Sequence, residues 1–214
     1  MAKTTGPLLS FGASGSIAKT AVFSKWKGVP YVRQHVTPSN PQSAAQTLTR
    51  NVFQFASDMW KGAGSLVRAP WDRFATGQAF TGRNSFIGKN TAALRSEVLM
   101  TDFVGSPGAK GGLAANSLTA TDATGQIISA AYVMPTPPTG WTLTAGVGVA
   151  VLDQDPQSAT TFETIADTDD GASSPLSIDV GVAGDYVVAF WPVWTKPDGS
   201  LAYGPSINDS VTIA

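Results

Sequence analysis

One histidine, His35, limits the catalytic chemistry open to this chain, because any Ser–His–Asp relay would have to pass through it. It lies in Tyr31-Val-Arg-Gln-His35-Val36, just before a proline-rich turn, and reads as a structural residue. Gly12-Ala-Ser-Gly15 lacks both the glycine–any–serine–any–glycine spacing and the preceding strand of a nucleophile elbow. Gly146-Val-Gly148 has no third glycine and no Lys-Ser/Thr pair to cradle phosphate, so it is expected as small residues in a strand. Asp167, Asp169, Asp170 and Gly171 look like the opening of a calcium loop, but the register is wrong and Ile178 stands where the bidentate carboxylate belongs. A solvated turn is expected there. Asn208-Asp-Ser210 fits a glycosylation sequon without any sign of a secretory route. The acids fall in turns, not at matched strand positions, which gives paired-carboxylate glycoside chemistry no support. With no cysteine, thiolate metal sites, disulfides and thiol nucleophiles are excluded. The expectation is a non-enzyme with no catalytic residue, cofactor or metal site.

What is left is surface for binding. Lys25-Trp26-Lys27 and Tyr31-Val-Arg33 interleave cations with aromatic rings. Such a mixture makes protein hot spots. It can also stack on nucleic-acid bases, or simply be an amphipathic hairpin with its rings inward. Protein docking ranks first, because the cations are spread over the whole first half and are not gathered in one run.

The elements that would position these residues are of two kinds. From Ile17 to Val36 the chain reads as a β-hairpin or extended arm turning at Gly28-Val29-Pro30 and anchored by Trp26 and Tyr31. Ser43-Ala-Ala-Gln46 reads as a capping box. Behind it Ala45, Leu48, Val52, Phe55, Ala56 and Met59 make one helical stripe through Trp60, stopped by Gly62 and Gly64. Pro70 suits the first turn of a second helix carrying Trp71 and Phe74. Asn84 could cap a third, running through Phe86, Ile87 and Leu94.

After Leu113 the pattern becomes seven candidate strands: 118–121, 127–133, 141–152, 162–165, 176–180, 186–194 and 211–213. That number in about a hundred residues suits a β-sandwich. Tyr186, Val188 and Phe190 share one face, and Pro192 marks an edge or bulge.

Charge divides the chain in the same place. Up to Lys110 there are thirteen Lys/Arg against four acids, net +9; beyond it, Lys196 alone faces eleven acids, net −10. Gly105-Ser-Pro-Gly-Ala-Lys-Gly-Gly112 has the composition of a linker. The expected architecture is therefore α+β in two modules. A basic arm and helical docking domain spans 1–104, a Gly-rich linker 105–112, and an acidic, all-β immunoglobulin-like sandwich 113–214. Charged residues are only 14% of the chain, which mildly favours burial against neighbours. Met1 to Leu9 lacks the pattern of a secretory signal, and no apolar run reaches membrane-spanning length, so synthesis in a reducing cytoplasm is expected.

Trp26-Lys-Gly-Val-Pro-Tyr-Val-Arg33, then Ser39-Asn-Pro-Gln-Ser-Ala-Ala-Gln46 leading to Arg50 and Phe53, then Trp60, Trp71 and Gly82-Arg-Asn-Ser-Phe86, resemble a group of phage- and prophage-encoded proteins over roughly residues 6 to 95. Tyr186-Val-Val-Ala-Phe190, the Pro197-Asp-Gly199 turn and Gly204 to Ile213 are similar to the last strands of a fibronectin type III or related immunoglobulin-like domain, with Trp191-Pro-Val-Trp194 bulkier than usual. The resemblance implies a bacteriophage virion protein, foremost a capsid decoration or head-associated protein, with a head–tail connector or tail component as the alternative. Its partners would be capsid, portal or tail subunits, with multiple copies in a symmetric assembly, and no membrane. A nucleic-acid-binding role and a glycan-binding sandwich are the competing expectations. The candidate partner-binding residues are Lys25, Trp26, Lys27, Tyr31, Arg33, Arg50, Trp60 and Trp71.

Overall fold

The computed structural model describes residues 3–4, 13–96, 100–157 and 167–214. Its elements are mixed α and β, with strand predominating. They form two compact units, Met1–Gln42 and Ser43–Ala214, so the boundary expected at 105–112 is replaced by one at Gln42.

The first unit is an antiparallel meander, β1 (Lys3–Thr4), β2 (Ala13–Ile17), β3 (Ala21–Trp26) and β4 (Val29–Gln34), paired in chain order. Lys27 (φ 46°) and Gly28 (φ 88°) both take positive φ, making a two-residue turn between Trp26 and Val29 that matches strand twist. The expected hairpin is present, but its turn lies at Lys27-Gly28, and Pro30 sits within β4. This strand ends the sheet, where a missing N–H is tolerated.

The second unit opens with α1 (Ala44–Gly62), α2 (Ser65–Ala75) and α3 (Gly82–Leu94). The apolar stripe of α1 buries Val52, Phe55, Ala56 and Met59, as its spacing predicts. Capping differs from expectation. Ser43 makes no side-chain cap bond, and Thr81, not Asn84, caps α3 by accepting the Asn84 amide. Pro70 lies inside α2 and not in its first turn. Arg68, on α2, donates to the carbonyls of Trp60 and Lys61, closing the frayed end of α1.

After a 3-10 turn (Met100–Asp102) come β5 (Pro107–Ala109), β6 (Ser117–Ala123), β7 (Ile127–Val133), β8 (Thr142–Leu152), β9 (Asp167–Gly171), β10 (Leu176–Asp179), β11 (Gly184–Thr195), β12 (Leu201–Pro205) and β13 (Ile207–Ile213). The expected strand at 162–165 lies outside the described residues. One sheet has the order β10-β7-β6. The other has β5-β12-β11-β8-β9, with β13 also pairing β11.

The larger sheet is buried on both faces, which explains the nearly unbroken apolar run of β11. Tyr186, Val188 and Phe190 face one way and pack with Ile128, Tyr132 and Ile178 of the smaller sheet. Val187, Ala189, Trp191 and Val193 face the other way, joining Phe55, Met59, Trp71 and Phe86 of the helices in a single core. Three layers result: helices, large sheet, small sheet. Small residues allow the close fit. A methyl at Gly146 would sit 2.6 Å from the Phe190 ring, which stacks on Tyr132 at 4.3 Å. Pro192 falls where β11 changes neighbours from β13 to β12, next to a register shift at Val193/Trp194. On the β13/β12 side, its missing N–H therefore interrupts no continuous ladder.

Residues 105–112 are no linker. β5 pairs with β12, the buried Ser106 hydroxyl donates to the Gly204 carbonyl at 2.7 Å, and the buried Trp71 indole donates to Gly105 at 2.8 Å. Gly105 and Gly112 are there for close approach, and Gly108 and Gly111 for positive φ. A methyl at Gly105 would stand 2.6 Å from Trp191, and one at Gly112 would run into the Tyr203 backbone. Asn90, fully buried on α3, clamps Val104 from both sides, donating to its carbonyl and accepting its amide.

Two measurements test this shared core. Gly105→Ala should cost about 1–3 kcal/mol in denaturant unfolding, the usual range for overpacking. Residues 43–214 should unfold in one cooperative transition, whereas 113–214 alone, with Trp191 and Val193 stripped of their helical cover, should fail to give a native near-ultraviolet signature.

Candidate docking surface

Strand pairing sorts the meander's side chains onto two faces. Directly opposed residues share a face, so the pairs Trp26↔Val29, Ser24↔Tyr31 and Val22↔Arg33 place Trp26, Val29, Tyr31 and Arg33 on one side of the sheet. The pairs Phe23↔Val32 and Lys25↔Pro30 place Lys25 on the other. Lys27 projects from the turn, with its ammonium 5.9 Å from the centre of the Trp26 ring. The first face is apolar and open: Trp26 is 68% exposed, Val29 66% and Tyr31 39%. Among the described residues of this unit, Phe23 alone is buried. A single small sheet with one buried side chain holds little apolar area out of water, and sheets of this kind need a covering layer to be stable. The unit carries five Lys/Arg and no acid.

The remaining sequence candidates lie in the second unit and do not form one site. Arg50 is exposed on α1. Trp60 is half-buried, 5.2 Å from the Phe86 ring and beneath the Arg68 guanidinium at 5.5 Å, so its main contacts are internal. Trp71 is fully buried with its indole hydrogen-bonded. Its assignment as a partner-binding residue is corrected: it is a core residue. Sequence reasoning missed Phe53, a ring 54% exposed on α1. It lies between a shallow depression of about 690 Å³ that includes Gln46 and Arg50 and a second of about 370 Å³ that includes Arg83 and Ile87. Its offset from the Val52/Phe55/Met59 stripe was the available signal.

The acids of the second unit are largely occupied in holding backbone. Asp153 accepts the Met100 amide, Asp179 the Gly181 amide and Asp198 the Ser200 amide. Asp169 and Asp209 accept amides from the facing sheet, at Ser177 and Ala120. Asp198 is held below the usual carboxylate range by these bonds from Ser200. Burial raises the Tyr132 and Tyr203 hydroxyls above their ordinary value. Lys196 lies near Asp198 and Arg73 near Tyr203, and the His35 backbone amide donates to the Thr20 carbonyl. Asp167–Gly171, expected as a turn, is β9, paired to β8. Among the described residues no three His, Asp or Glu side chains gather as a metal site, and no helix is long and apolar enough to cross a membrane.

No family model, no curated protein and no solved structure matches this chain.

The thin packing of the meander has a measurable consequence. Amides of residues 21–34 should exchange with solvent orders of magnitude faster than those of β11, and residues 43–214 without the meander should remain folded. Protection in the meander equal to that of β11 would contradict its description as an uncovered sheet.

Proposed function

We propose that this chain is a structural protein of a bacteriophage particle. It attaches by the open aromatic face of its meander and displays the three-layer body, most simply as a capsid decoration or head-associated protein. The observation that carries the reading is the meander itself, which has five cations and no acid and leaves Trp26, Val29 and Tyr31 exposed. Trp, Tyr and Arg on one desolvatable face are the residues that dominate protein interfaces. Of the cations in residues 21–34, Lys25 lies on the other side of the sheet, which leaves Lys27 and Arg33 beside Trp26 and Tyr31, fewer than a groove tracking a nucleic-acid backbone would use.

The body suits display. The order of the two sheets, β6-β7-β10 and β9-β8-β11 with β12/β13, is compatible with an immunoglobulin-like sandwich of the fibronectin type III kind, which supports this reading. The Tyr186 hydroxyl, near the start of β11, donates back to the Val182 carbonyl at 3.0 Å, as the corner tyrosine of such domains does. The helices cover one outer face of the sandwich, leaving the β6-β7-β10 face for the exterior.

Trp26→Ala combined with Tyr31→Ala should reduce incorporation into particles by an order of magnitude or more, given that hot-spot truncations cost about 2 kcal/mol or more each. The circular dichroism of the body should be unchanged. Normal incorporation of the double variant would remove the docking role. Copy number that scales with capsid subunits supports decoration; copy number tied to a single vertex places the chain at the connector or tail instead.

A further inference from the structure

We propose that the open face of the meander takes the acidic end of the body of a second copy of this chain, so that copies join head to tail. The inference rests on the docking reading and names its partner.

Charge selects the occupant. Residues 1–42 hold five cations and no acid, so two meanders laid face to face would bring like charges together. Residues 43–110 are also net basic, with eight Lys/Arg against four acids. Residues 111–214 carry eleven acids and one lysine, and they are the part of the chain with the opposite sign.

Topology gives the acids an orientation. β11 runs from Gly184 to Thr195, about 35–40 Å at strand rise, and Lys196 follows at its far end. At its near end lie the exposed Asp185, the turn after β10 with exposed Asp179, and Asp122 beside the β6–β7 turn. The amide of Val180 donates to the Gln126 carbonyl and holds those two turns together. Val182, 63% exposed, stands among them as an apolar contact. A face on which Arg33 and the turn residue Lys27 accompany Trp26, Val29 and Tyr31 therefore meets an acidic end with an apolar point of its own. The two surfaces differ, so the contact is heterologous, and repetition gives a ring or an open chain, not a closed two-fold dimer.

The test uses the full chain in sedimentation velocity. Wild type should associate with rising concentration at low salt, with affinity falling about tenfold or more at roughly 1 M salt as screening shortens the Debye length. Trp26→Ala/Tyr31→Ala should be monomeric, and so should Asp122→Asn/Asp179→Asn/Asp185→Asn, whose substituted side chains are all exposed. Mixed one to one, the two variants should form a heterodimer that stops there, since each supplies the surface the other lacks. Association that survives either variant, or a mixture that stays monomeric, overturns the proposal. A monomeric wild type whose entry into particles still requires Trp26 and Tyr31 overturns it too, while leaving the docking reading in place.

Discussion

Everything in the second unit follows from a sheet that has no polar face. β11 and β8 bury side chains above and below, so two separate layers must cover them. The smaller sheet covers Tyr186, Val188 and Phe190; the helices cover Val187, Ala189, Trp191 and Val193. Neither cover is independent. α2 and α3 have eleven and thirteen residues, and isolated helices that short are marginal in water. Their stripes close only against the sheet, and the sheet stays dry only beneath them.

A shared core also needs its crossing segment fixed, and polar side chains do this where apolar ones cannot. Asn90 holds Val104, Asn208 donates to the carbonyls of Thr101 and Phe103, and Trp71 donates to Gly105. These bonds satisfy backbone groups that would otherwise be buried unpaired. The seams between the two sheets are handled in the same way. Asp209 accepts the Ala120 amide on one side of the sandwich and Asp169 the Ser177 amide on the other. Each carboxylate occupies an edge N–H that could otherwise pair with a foreign strand. Part of the acidity of the second half is thus structural.

The local elements were legible in the sequence because their periods were clean. The α1 stripe, its stop at Gly62, the β7 limits and the shared face of Tyr186, Val188 and Phe190 all follow from spacing. What misled was composition. Glycine spacing at 105–112 is the same for a tether and for a backbone pressed against Trp191 and Tyr203, and only the partner's position tells them apart. The odd residues of β11 carried the missing information: Trp191 and Val193 have no place in a sandwich with one wet outer face. β9 was hidden because Asp167, Asp169 and Asp170 look like turn residues, while their backbone completes the edge of the sheet beside β8. At the candidate site, the aromatic and basic residues of the meander were found by type, but the turn at Lys27-Gly28 sets which of them share a face.

The two units solve opposite problems. In the body, large apolar side chains are covered twice over and edge amides are matched by carboxylates. In the meander, a tight turn fixes register while Trp26, Val29 and Tyr31 are left in water and the closing strand, β4, keeps an open edge. A chain able to cover both faces of its central sheet does not leave a tryptophan two-thirds exposed for want of apolar residues. Uncovered apolar surface on a small sheet costs stability and invites association, so its retention is best explained by a contact that it completes. On the proposed docking, the cost falls on the free protein and is recovered on assembly, when the face would lose its water and its cations would meet acidic surface. On that proposal stability is concentrated in the body and adhesion in the meander.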